Sequence, residues 1–176
     1  MTSGSNETIK RIIVVISIVL GLFHLYTAFF GVLTAYWQRS LHLGLGMLIA
    51  YLLAYNESKS LLARVISFLG CLGTILAVFY VFYDFDGLVE RYSQPNTLDL
   101  IVGAIFMILV LDFTRRIVGK VLPIIAGVFL IYALAGPYLP GILWHRGYDI
   151  PRLISQISLS TEGIFGTPLG VSANYI

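Results

Sequence analysis

Six long stretches of this chain carry no Asp, Glu, Lys or Arg: 12–38, 40–56, 65–83, 100–111, 121–144 and 163–176. A helix that crosses a bilayer needs about 20 mostly apolar residues. The first stretch has an apolar core from Ile12 to Gly31, and the second and third run Ser40–Asn56 and Val65–Tyr83. The helical part of the fifth is expected to stop before Gly136-Pro137, a pair that breaks helices. The last stretch has 14 residues, short of the roughly 17 that a crossing requires.

The fourth stretch, Leu100–Leu111, is bracketed by Asp99 and Asp112. Asn96 or Thr97 can cap its start, and Asp99 places negative charge at the positive end of the helix dipole. Arg115, Arg116 and Lys120 follow its other end, where positive charge is favoured. Asp112 precedes Arg115 and Arg116 at helical spacing, so the three share a face and can pair. Leu98–Thr114 would span roughly 25 Å at 1.5 Å per residue, enough for a short crossing with snorkelling basic ends.

Composition agrees. Of the 176 residues, 58% are apolar and 11% charged, against about 25% charged in an ordinary soluble domain. Too few polar side chains remain to cover a water-facing surface. This excludes a soluble enzyme, a disordered tail and, at a net charge of +2, a basic nucleic-acid module. The expected fold is an all-α membrane protein with about five transmembrane helices. The first apolar run exceeds a signal-peptide core and lacks a clear cleavage site, so it is read as a retained anchor.

The basic residues orient the chain. With the N-terminus inside, the inner segments hold Lys10, Arg11, Lys59, Arg64, Arg115, Arg116 and Lys120, and the outer ones hold Arg39, Arg91, Arg146 and Arg152. That asymmetry favours a cytoplasmic N-terminus. The sequons Asn6-Glu7-Thr8 and Asn56-Glu57-Ser58 would then lie inside and stay unmodified. Beyond the turn-rich Gly136–Gly141, the run Trp144-His-Arg-Gly-Tyr148 puts aromatic and basic groups at headgroup depth. Pro151–Thr161 is expected to form an interfacial helix with Leu153, Ile154, Ile157 and Leu159 toward lipid. Gly163, Gly166, Pro168 and Gly170 mark a final piece suited to close contact with other protein.

No residue pattern points to catalysis, a cofactor or a metal. Asp84, Asp86 and Glu90 lack the spacing of a calcium loop and read as a solvated acidic loop. His24, His42 and His145 have no partner at ligand spacing along a helix; His24, inside the first crossing, is expected to hydrogen-bond a neighbouring helix. Cys71 reads as a small buried hydrophobe, and Gly70 with Thr74 as a helix-packing surface. There is no Gly-x-Ser-x-Gly elbow, His-Glu-x-x-His or complete phosphate loop. Asp112, Arg115 and Arg116 are either a helix-end anchor or a clamp to another subunit or domain. Glu162 is either an interfacial carboxylate at a helix start or a polar element of a transport domain.

Several runs in fixed order carry a resemblance. They are Leu25-Tyr-Thr-Ala-Phe-Phe-Gly31, Arg39-Ser-Leu-His-Leu-Gly44, Thr97-Leu-Asp-Leu100, Asp112-Phe-Thr-Arg-Arg116, Val121-Leu-Pro-Ile-Ile125, Gly136-Pro-Tyr-Leu-Pro-Gly141, His145-Arg-Gly-Tyr148 and Thr161-Glu-Gly-Ile-Phe-Gly-Thr-Pro-Leu-Gly-Val-Ser172. Together, over Ile12–Ser172, the chain resembles the fused permeases of tripartite ATP-independent periplasmic (TRAP) transporters, the type served by TAXI-class binding proteins.

The resemblance implies a multi-pass protein of a bacterial or archaeal inner (cytoplasmic) membrane. There a periplasmic solute-binding protein delivers an organic solute, and an ion gradient, usually sodium, drives uptake. It implies a cytoplasmic N-terminus over 1–11, a membrane-anchoring scaffold over 12–135, a periplasmic or interfacial segment over 136–160, and the start of the large transport domain over 161–176. On that comparison the chain is the N-terminal scaffold fragment. The family's sodium and substrate sites have no matching positions in it, and the coupling ion is expected to bind outside it. The alternative is an unrelated small multi-span membrane protein acting as a structural or interaction subunit. Both readings expect a lipid bilayer and no nucleic acid as partner.

Overall fold

The computed structural model describes residues 6–91 and 94–174; residues 1–5 of the expected cytoplasmic stretch and 175–176 of the expected transport-domain start lie outside them. Asn6 opens helix α1 (Glu7–Phe30) by accepting from the Thr8 backbone N–H. Its own backbone N–H donates to Asn56 Oδ1 at 2.9 Å. That bond ties the start of α1 to the end of α2 (Ala35–Glu57), which runs back antiparallel after a short turn. Another short link leads to α3 (Leu61–Tyr83). The stub α4 (Phe85–Glu90) precedes α5 (Thr97–Ile117), and α6 (Val121–Ala135) follows.

Among the described residues the regular structure is helical, with no strand. Helices α1, α3 and α5 and the run Val121–Tyr138 are each long and apolar enough to cross a membrane. The 23-residue α2 is joined to α1 and α3 by turns of a few residues, so it must cross wherever they do. It is less apolar because it lies innermost: Gln38, Ser40, Met47 and Tyr51 on it are all buried. The chain is thus an all-α multi-pass membrane protein. No residue of α6 is buried, and α1 buries only Ile13 and Thr27. These apolar outer faces suit lipid and would be untenable in water.

The α2–α3 contact depends on Gly70. A Cβ there would lie 2.5 Å from Tyr51 Cε1, so only glycine lets the ring lie flat on α3. Tyr51 then reaches across to donate to the Leu109 carbonyl at 3.0 Å. Thr74, one turn on from Gly70, donates to the Gly70 carbonyl within its own helix. The expected packing surface is therefore real. Cys71 is buried beside it.

The C-terminal part departs from expectation. Pro151 starts a helix, but α7 covers only Ile150–Ile154 and winds directly into a π turn, Ser155–Leu159. This piece packs on α5 instead of lying along lipid. Leu159, expected to face lipid, is 6% exposed. Gly103 is the reason: with no side chain there, Ile154, Ser158 and Leu159 close onto α5. Leu153 and Ile157 stay on the outer side, along an apolar groove. The chain then returns through Phe165, which stacks on Phe106 at 5.3 Å, to α8 (Thr167–Asn174) against α2.

Candidate functional site

Polar side chains gather at the two ends of the bundle. The richer end joins the close of α1, the start of α2 and α8. Gln38, 1% exposed, donates from Nε2 to Thr27 Oγ1 at 3.2 Å and to the Ala173 carbonyl at 2.8 Å. One residue on, the Arg39 guanidinium donates to the Phe165 carbonyl. Gly170 lies flat against that guanidinium, where a Cβ would be 2.7 Å from Nη2. Tyr36 donates to the Leu159 carbonyl at 2.9 Å. The first turns of α2 thus grip three separate carbonyls of the C-terminal segment.

Beside this grip, His24 Nε2 and His42 Nδ1 share a hydrogen bond of 2.8 Å, and His42 Nε2 meets Ser172 Oγ at 3.1 Å. The expected bond from His24 to a neighbouring helix is present. Its partner was not foreseen, because the two histidines lie on different helices across a turn and spacing along one helix is blind to that. Among the described residues no three His, Cys, Asp or Glu side chains converge.

On the same end, Asp99 is 1% exposed. Its carboxylate accepts from the Tyr80 hydroxyl at 2.5 Å, from Arg91 Nη2 at 3.1 Å and from the Asn96 N–H at 2.8 Å. Asn96 returns the bond to the Asp99 N–H, which completes a capping box. Arg91 also pairs with Asp84 at 2.5 Å. The hydrogen bonds that Arg91 donates to Asp99 and Asp84 hold its guanidinium above its usual pKa. The expected acidic loop is therefore a short helix, with Asp84 committed to Arg91, while Asp86 and Glu90 are exposed as expected. The cap at Asn96 was legible, whereas the buried cluster was not, because its members come from three elements.

At the opposite end, Asp112 binds Arg115 Nη2 and Arg116 Nε, each at 2.6 Å. The arginines then diverge. Arg116 reaches inward to Ser67 Oγ at 3.2 Å and lies over the Tyr51 ring. Arg115 is half exposed. Glu162 is exposed and does not start a helix; it accepts from Gln156 Nε2 at 2.7 Å.

Many of these polar groups join one helix to another or to the C-terminal segment, while Arg39 Nε is buried without a hydrogen-bond partner among the described residues. No family model, curated protein or solved structure matches the chain.

Proposed function

We propose that the chain is the membrane-anchored scaffold portion of a TRAP-type permease. On this reading the solute and ion sites are supplied by a separate transport domain, and a TAXI-type periplasmic protein delivers an organic solute. The supporting observation is the grip around Arg39. Arg39–Gly44 and Thr161–Ser172, two runs that carry the resemblance, lie far apart in sequence yet interlock through Arg39 to Phe165, His42 to Ser172 and Gly170 on the guanidinium. Apolar composition alone does not call for contacts of this kind. The cations at the end bearing Lys10, Arg11, Lys59, Arg64, Arg115, Arg116 and Lys120 support a cytoplasmic N-terminus.

The test is reconstitution. In liposomes with a sodium gradient and a TAXI-type binding protein, this chain alone should accumulate no solute. It should co-purify with a TRAP large membrane subunit, and the pair should transport. Uptake by the chain alone would overturn the scaffold role, and failure to associate with the large subunit would overturn the TRAP assignment.

A further inference from the structure

Along α6 and past its end, three cavities share walls. One of about 800 Å³ is lined by His145, Arg146, Tyr148, Asp149 and Arg152 among others. It shares Tyr148 and Arg152 with a smaller cavity. That one shares Leu153 with an apolar groove of about 580 Å³, walled by Leu111 and Met107 on α5, Ala126 and Phe129 on α6, and Ile157. A cationic mouth therefore opens at the end of a greasy trough.

The mouth is built, and it sets two arginines against one carboxylate. The Gly147 N–H donates to His145 Nδ1 at 3.0 Å. Nδ1 is thus an acceptor, so Nε2 carries the proton and donates to the Tyr132 carbonyl at 3.1 Å. This holds the turn that presents Arg146. The Arg152 guanidinium lies 5.7 Å over the Tyr148 ring. Among the described residues neither Arg146 nor Arg152 is in an ion pair, unlike Arg91, Arg115 and Arg116. Asp149 is the one carboxylate lining the mouth.

We propose that this composite site holds one anionic glycerophospholipid, its phosphate between Arg146 and Arg152 and an acyl chain in the α5–α6 groove. The run Val121–Tyr138 has 18 residues, roughly 27 Å of helix, close to the thickness of a hydrocarbon core. Residues just beyond it therefore sit at headgroup level. Charge selects the occupant. An apolar helix laid in the groove would cover the trough and leave two guanidiniums bare at its end. A phosphate joined to an alkyl chain satisfies both parts. A zwitterionic headgroup would bring its own cation toward the arginines. The inference is independent of the transporter reading, since lipid retention and assembly with a transport domain are separate readouts.

Native mass spectrometry tests it, on detergent-purified chain equilibrated with equal phosphatidylglycerol and phosphatidylcholine. The chain should retain one phosphatidylglycerol in preference to phosphatidylcholine. A surface cation is worth about fivefold in anionic preference, so Arg146→Gln with Arg152→Gln should lower that preference on the order of 25-fold. Arg115→Gln should leave it unchanged. Ala126→Phe, which fills the groove, should reduce retention of both lipids. Continued protection of Cys71 from a thiol reagent would show each variant folded. Equal retention of the two lipids, or the same preference in the double arginine variant, would overturn the proposal. So would full displacement by equimolar glycerol phosphate, which would mean a headgroup site alone. A dimer abolished by Ala126→Phe would make a second copy the occupant and overturn it too.

Discussion

Tyr80 and Asp99 offer a clean measurement of what holds α3 to α5. Asp99 is 1% exposed and the Tyr80 hydroxyl donates to it at 2.5 Å. A hydrogen bond to a buried charged group contributes about 1.5–3 kcal/mol, and leaving one partner unsatisfied costs a similar amount. Tyr80→Phe deletes the donor and nothing else of size. Asp99→Asn keeps the volume, removes the charge, and turns an amide toward Arg91 and the Asn96 N–H, so it should be the more damaging of the two. In the double variant the lost bond is counted once. The destabilisation should then fall short of the sum of the singles by about 1.5–3 kcal/mol. Unfolding in detergent can be followed through Cys71, the chain's one cysteine and a buried one, which becomes labelled only as the bundle opens. Additivity within about 0.5 kcal/mol would refute the reasoning, because it would mean that the two groups act independently.

Gly70→Ala should destabilise by about 1–3 kcal/mol, since its Cβ would enter the Tyr51 ring. Gly21→Ala, with nothing within 4 Å, should instead stabilise by about 0.5–1 kcal/mol; the same Cys71 labelling reads both. Gln38→Leu leaves the buried Ala173 carbonyl without its donor, at a cost of about 1–3 kcal/mol, and hydrogen exchange over Thr167–Asn174 should quicken while that of α3 does not. In a Cys71→Ser background, single Glu90→Cys and Val118→Cys variants should label from opposite sides of the membrane, because α5 lies between them. Labelling from one side would break the threading.

The crossings could be read from gaps in charge, since a charged side chain deep in lipid is costly. The same rule places the start of α3 too late. Charge alone starts the third crossing at Val65, whereas α3 begins at Leu61: Arg64 sits in its first turn and turns its Nε back to the Ser58 carbonyl, ahead of the helix. Asp112 ends a charge-free stretch, yet its helical spacing from Arg115 and Arg116 already implies a helix that runs past it, and α5 does continue to Ile117 with both pairs formed. Those ion pairs and the Asn96 cap are local, hence legible. The docking of the C-terminal segment is not local. Nothing local shows that Ile154, Ser158 and Leu159 meet the gap at Gly103. The grip on Phe165 and Ala173 joins residues more than a hundred positions apart.

These two kinds of contact divide the labour in the fold. Within the crossings, hydroxyls satisfy themselves on their own helix, as Ser17 does on Ile13 and Thr74 on Gly70, so apolar packing is left to join the helices there. Apart from the Tyr51 bond to Leu109, directional bonds between elements concentrate at the bundle ends, where backbone carbonyls are free to accept them. Helix α6 has neither advantage. None of its residues is buried, and its far end is held by the turn that His145 closes on Tyr132 and Gly147. Its face toward the groove with α5 is therefore the one that the described residues leave least filled.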